Sequence, residues 1–194
     1  MNYSIGTARS IKQAQSIVGT SPGRPEHDFY PTPPEMTQVL LDNYSFYNEV
    51  WEPACGDGAM SKVLLANNYN VFSSDLIRRG YGFEIDFLLA HTMPLFTKAI
   101  ITNPPYTLAE KFVEHAHKIG CKQLALLCKL TFLEGQARKF MFAKYPLARV
   151  LVFSKRQTMT RNGEPSRNGG MIAYAWFIWD SAHSGNDEPT IGWI

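Results

Sequence analysis

Four consecutive residues, Asn103-Pro104-Pro105-Tyr106, carry the most specific chemistry in this chain. Two prolines fix the backbone dihedrals and remove two hydrogen-bond donors. The turn therefore presents carbonyl oxygens and the Asn103 side-chain oxygen as acceptors. Such a cradle suits a planar –NH2 group. Accepting both amino hydrogens draws the nitrogen out of conjugation with its ring and frees its lone pair for attack. Tyr106 adds a face on which a planar base can stack, an interaction of roughly 1–3 kcal/mol.

Three acidic positions lie upstream. Glu52 opens the segment Glu52-Pro53-Ala54-Cys55-Gly56-Asp57-Gly58, in which the glycines allow close backbone approach. The spacing is G-x-G, short of the G-x-G-x-x-G of dinucleotide binders. An acid in such a loop repels a pyrophosphate and attracts an ammonium, so the loop suits a ligand with an amino acid moiety. Asp75 follows Gly58 by 17 residues, near the roughly 20 at which nucleotide folds place a ribose-binding acid. Its bland role is a helix N-cap or a solvated acid. Asp86, next to Phe87, is the weaker third piece: it could accept from an adenine amino group while Phe87-Leu88-Leu89 packs near the ring.

These residues need a scaffold that brings distant segments to one edge. A helix is expected over Glu35–Asn43, after the rigid Tyr30-Pro31-Thr32-Pro33-Pro34, with Pro34 and Glu35 in its first turn. Val50-Trp51 leads a buried strand into the glycine loop, and a helix follows over Ala59–Asn67. Strands are expected at Asn70–Ser74, Tyr81–Ile85 and Lys98–Thr102, then a helix over Leu108–Ile119. Gln123–Cys128 is continuously apolar, the mark of a strand covered on both faces. A helix over Glu134–Lys144 precedes strands at Arg149–Phe153 and Ile172–Trp179, which a polar loop, Ser154–Gly170, joins as an antiparallel pair. Strands alternating with helices specify an α/β fold with a mostly parallel sheet. Ligands of such sheets sit at the carboxyl ends of the strands, and Glu52, Asp75, Asp86 and Asn103 all fall there.

Composition excludes several classes. At 194 residues and 45% hydrophobic the chain suits one domain with a real core. No stretch approaches the roughly 18 apolar residues of a membrane span, and the first 20 residues lack the apolar centre of a secretory signal. Cys55, Cys121 and Cys128 are odd in number and lack metal-ligand spacing, which fits a reducing cytoplasm, no disulfides and no metal. His115 and His117 read as surface side chains. The net charge of +2 conceals a basic segment, residues 111–167, with twelve Lys and Arg against three acids. A segment at +9 is able to track a polyanion through counterion release, or to be a set of solvated helix faces.

The motifs together resemble the class I S-adenosylmethionine-dependent methyltransferases, in particular those that methylate adenine N6 in DNA. The resemblance runs from Tyr30 to about Asp180. It implies a Rossmann-like, mostly parallel seven-stranded sheet with helices on both faces and a final antiparallel hairpin. Around a methyltransferase domain (27–180), the polar residues 1–26, rich in Gly, Ser and Pro at 19–25, read as a flexible arm with a short helix at Ile11–Val18, and 181–194 as a polar tail. The resemblance implies S-adenosylmethionine as cofactor. Tyr30, Thr32 and Pro33 lie against its methionine end. Glu52, Ala54 and Gly56 hold that same end, with Glu52 on the ammonium, and Pro53, Asp57 and Gly58 complete the loop. Asp75, with Leu76, holds the ribose; Asp86, with Phe87, holds the adenine amine. Asn103, Pro104, Pro105 and Tyr106 take the target amine for direct in-line transfer.

DNA is the implied partner, contacted by Lys155, Arg156, Arg161 and Arg167. Small size and Phe132-Leu133-Glu134-Gly135 resemble enzymes of bacteriophages and prophages. Two departures stand out. No long target-recognition segment follows the core, so specificity rests on the Ser154–Gly170 loop, on a second subunit or homodimer, or is loose. That loop also lacks an aromatic to clamp a flipped base, which leaves Tyr106, Phe153 or Trp176. The same cradle serves enzymes that methylate RNA bases or a protein glutamine amide, and the fold also serves non-catalytic DNA-binding modules.

Overall fold

A computed structural model describes residues 30–157, 172–183 and 187–194. Helix α1 (Pro34–Asn43) starts on a proline, whose missing N–H is one the first turn would leave unbonded anyway. Strand β1 (Glu49–Glu52) runs into the glycine loop and helix α2 (Ala59–Ala66). Strands β2 (Asn70–Asp75), β3 (Phe83–Glu84) and β4 (Ala99–Thr102) follow, then helix α3 (Ala109–Lys118) and strand β5 (Gln123–Lys129). Helix α4 (Gln136–Lys144), strand β6 (Arg149–Val152), strand β7 (Tyr174–Asp180) and strand β8 (Thr190–Trp193) complete the order.

The strands form one sheet in the order β3-β2-β1-β4-β5-β7-β6-β8. Among the described residues only β7 runs antiparallel, pairing with β5 (Leu126 opposite Phe177) and β6 (Val150 opposite Phe177). Strand order reverses between β1 and β4, the point where an open α/β sheet forms its crevice. Alternate side chains serve opposite faces. Val50, Ile101, Leu127 and Trp176 pack with Met36 and Leu40 of α1 and Met60 and Leu64 of α2. Trp51, Ile100, Leu126 and Phe177 pack with Phe112, Val113 and Ala116 of α3 and Met141 of α4. The buried indoles are satisfied: Trp51 donates to Ser74 Oγ, Trp176 to the Met36 carbonyl and Trp179 to the Tyr145 carbonyl.

Two expectations need correction. The sheet has eight strands where seven were expected, because β8 is drawn from the polar tail and lies parallel to β6. Its pairing covers the β6 edge, and the Ile194 carbonyl accepts from both the Ser154 amide and hydroxyl. Ile191 and Trp193 remain exposed, so the strand carries no apolar-in alternation to betray it. Nor are His115 and His117 surface residues. His115 is buried edge-on against Phe87, and His117 bonds the Val113 carbonyl and lies 4.4 Å from the Tyr145 ring. Burial lowers the pKa of both imidazoles. The apolar face of α3 is wider than Phe112, Val113 and Ala116 alone. The residues 11–18 lie outside those described.

Among the described residues no helix is long and apolar enough to cross a membrane, and no three His, Cys, Asp or Glu side chains gather as a metal-type cluster.

Candidate active site

An open cleft of about 890 Å³ lies across the carboxyl ends of β1, β2, β3 and β4. Its walls gather Tyr30 and Thr32, then Glu52, Pro53, Ala54, Gly56 and Asp57, then Asp75, Leu76, Asp86 and Phe87, and all four residues Asn103 to Tyr106. Segments 76 residues apart in sequence thus share one surface. Two expected members, Pro33 and Gly58, are not among the lining residues. The Pro33 carbonyl instead accepts from the Met36 amide at the start of α1.

Gly58 has φ of 79°, and an added Cβ would lie 2.5 Å from the Tyr81 ring. Its lack of a side chain makes room for a neighbouring tyrosine, not for a ligand. Gly58→Ala is expected to destabilise the fold by roughly 1–3 kcal/mol through the positive φ and the clash together, measured by urea unfolding. The double variant with Tyr81→Ala should recover only the steric part.

Gly56, with φ of 56°, turns the loop so that its amide donates to Asp75 Oδ2 at 2.8 Å. The other Asp75 oxygen accepts from the Ile77 amide at 2.9 Å. Asp75 therefore ties the loop to the end of β2, and each oxygen keeps a lone pair for an outside hydroxyl. Asp86 Oδ1 caps the short turn Phe87–Leu89 through the Leu88 amide, so the capping role falls to Asp86. Phe87 is buried between Trp51, Phe112 and His115, with one part reaching the cleft. Asp57 is exposed and caps the start of α2 by accepting from the Ala59 amide.

Glu52 is only 2% exposed. Ser61 Oγ donates to its carboxyl, and Ser73 Oγ lies 2.6 Å from Ser61 Oγ. Burial, reinforced by Asp75 and Asp57, pushes its pKa up to about 8 against the Ser61 hydrogen bond. Neither Ser61 nor Ser73 is marked as a site residue by the sequence. Their signal was a serine on the apolar face of α2 and another inside a strand, each too common to flag. Arg79 also lines the cleft, a base beside Glu52, Asp57, Asp75 and Asp86.

At the β4 end, Asn103 Nδ2 donates to the buried Thr32 hydroxyl at 3.1 Å. That bond fixes the amide, and among the described residues no group donates to Oδ1. The Pro105 carbonyl accepts from the Leu108 amide, whereas among the described residues none donates to the Pro104 carbonyl. Asn103 and Pro104 both line the cleft. The Tyr106 ring lies 6.2 Å from that of Tyr174, and Lys129 Nζ sits 5.0 Å from its centroid.

Phe153 and Trp176 cannot clamp a base: both are core residues, and Trp176 is fully buried. Cys55 lines the cleft, yet burial pushes its thiol up to about 12, so no thiolate nucleophile is present there. Lys155 and Arg156 are exposed just beyond β6, on the same edge as the cleft. Arg161 and Arg167 lie outside the described residues. Along this edge, Glu52, Asp57, Asp75, Glu84 and Asp86 stand with Arg78 and Arg79 at the ends of β1 to β3, and Lys129, Lys155 and Arg156 stand at the ends of β5 and β6.

No protein-family model matches the sequence, and no curated protein matches it. Solved structures do. The 23S rRNA methyltransferase ErmE superposes with a TM-score of 0.58 at 12% identity, covering 82% of this chain and 72% of that one. The tRNA (m1A58) methyltransferase TrmI from Aquifex aeolicus gives 0.54 at 15% identity, covering 80% and 72%. A modification subunit assigned to a type I restriction enzyme of Vibrio vulnificus gives 0.57 at 14% identity, covering 95% of this chain and 50% of that one. At such identities the likeness is one of fold. The chain has the class I S-adenosylmethionine-dependent methyltransferase fold.

Proposed function

We propose that the protein binds S-adenosylmethionine and methylates the exocyclic N6 amine of adenine in DNA. The observation that carries this reading is that Asn103, its amide tethered by Thr32, and Pro104 line one cleft with Glu52, Asp75 and Asp86. The donor set fits the cofactor. An ammonium, two hydroxyls, an amino group and a sulfonium are all matched by carboxylates, while a pyrophosphate would be repelled. Glu52 with Ala54 and Gly56 would hold the methionine end, Asp75 the ribose and Asp86 the adenine. When bound, S-adenosylmethionine supplies a methyl group on a good leaving sulfur.

The remaining work belongs to the chain. Asn103 Oδ1 and the Pro104 carbonyl accept the two hydrogens of the target amine and hold its lone pair out of the ring. Tyr106 and Pro105 wall the cradle. Fixed orientation of the nitrogen is the main catalytic contribution, since well-oriented reactants gain up to about 7–11 kcal/mol. An adenine in a duplex must leave the stack to reach such a cleft. Lys155 and Arg156 would contact its phosphates, with Arg161 and Arg167 assigned the same role. Sequence choice would rest on the Ser154–Gly170 loop, a second subunit or a homodimer.

RNA is the second reading, because the names of ErmE and TrmI specify rRNA and tRNA. A protein amide or a non-catalytic role would give the basic edge no methylation substrate. The test is a transfer assay with isotopically labelled S-adenosylmethionine and unmethylated duplex DNA, single-stranded DNA or RNA, digested to nucleosides. Labelled N6-methyldeoxyadenosine is the expected product. Labelled N6-methyladenosine from RNA would move the substrate to RNA. No labelled nucleoside, despite measurable cofactor binding, would overturn nucleic acid methylation.

A further inference from the structure

We infer that Lys129 is a substrate-contacting residue, its ammonium pairing with a backbone phosphate of the target nucleotide itself; the inference rests on the nucleic acid reading above. Lys129 ends β5, opposite Tyr174 at the start of β7. Thr102 of β4 is level with Leu126 of β5, so Lys129 lies just past Asn103 on the same edge, one strand across. Its Nζ lies over the Tyr106 ring, 5.0 Å from the centroid.

Three features point to an anionic ligand at this place. Lys129 is half-buried, and among the described residues no carboxylate pairs with it. A partly desolvated ammonium resting on a ring face retains unused donors, which an arriving anion would take. Along the edge it also lies between the Asn103 turn at the end of β4 and the bases Lys155 and Arg156 that follow β6. A base held at the Asn103 cradle beside Tyr106 brings its own phosphate within reach of a four-carbon side chain resting on that ring. Lys155 and Arg156 lie farther along the edge and suit flanking phosphates.

Binding of a fluorescent adenine-containing 20-mer duplex to the full chain, followed by anisotropy across a salt series, tests the assignment. Wild type, K129Q and K129R are compared, with cofactor binding and thermal melting as checks of folding. Loss of one phosphate contact makes the slope of log K against log salt shallower by about 0.9. K129Q is expected to show that change and K129R to keep the wild-type slope. A K129Q slope equal to that of wild type would overturn the phosphate contact alone, as would a K129R slope as shallow as that of K129Q. Wild type that fails to bind at low salt would overturn the nucleic acid reading together with it.

Discussion

Asn103→Ala is expected to lower the rate of methyl transfer by about 10²–10³-fold, the cost of deleting one preorganised hydrogen-bonding group from a site of developing charge. The amine nitrogen gains positive character as it attacks, so an acceptor on its hydrogens is stronger in the transition state than in the ground state. The side chain is preorganised by one bond, Nδ2 to Thr32 Oγ1 at 3.1 Å, which orients Oδ1 before any substrate arrives. Alanine removes the acceptor and leaves the Pro104 carbonyl as the sole partner for two hydrogens. The loss should appear in kcat, with cofactor affinity changed by no more than about twofold, since a transition-state interaction contributes little to ground-state binding. Single-turnover kinetics and equilibrium cofactor titration separate the two. A variant with wild-type kcat would remove Asn103 from catalysis.

Glu52→Gln is expected to change the pH dependence of stability. The carboxyl is buried, and its pKa rises from an ordinary 4.5 to about 8. Between these values the folded protein binds a proton that the unfolded chain has released. Stability therefore falls as pH rises, from full below 4.5 to reduced above 8, by an amount on the order of a few kcal/mol. Glutamine keeps an acceptor for Ser61 and has no charge to desolvate. The melting temperature of wild type should drop relative to Glu52→Gln between pH 5 and pH 9, with the variant the more stable above about 8. Parallel melting curves across that window would contradict a neutral buried carboxyl. If a ligand ammonium seats beside Glu52, it favours the ionised form, and binding near neutral pH should release a proton. Calorimetry in buffers of different ionisation heat reads that release directly.

Most of the architecture is legible in local patterns. The apolar run of β5 is a strand buried on both faces, Pro34 begins α1, and the alternation of strands with helices specifies a parallel sheet. The strand with no pattern is β8, because Ile191 and Trp193 face outward and only backbone pairing to β6 defines it. His115 shows the same limit: a polar type on a helix reads as exposed until the Phe87 ring is placed against it.

Within the candidate site, residue type and spacing alone determined the acceptor character of Asn103-Pro104-Pro105-Tyr106 and the acidity of the facing loop. Prolines restrict a backbone wherever they occur, and a carboxylate repels phosphate in any fold. Tertiary structure alone decided the rest, because contacts across dozens of residues depend on strand order. It brought Thr32 to Asn103, enclosed Glu52 with Ser61 and Ser73, filled the space beside Gly58 with Tyr81 and laid Lys129 over Tyr106. The crossover between β1 and β4 is the cause, since it opens one crevice into which the ends of separate strands converge.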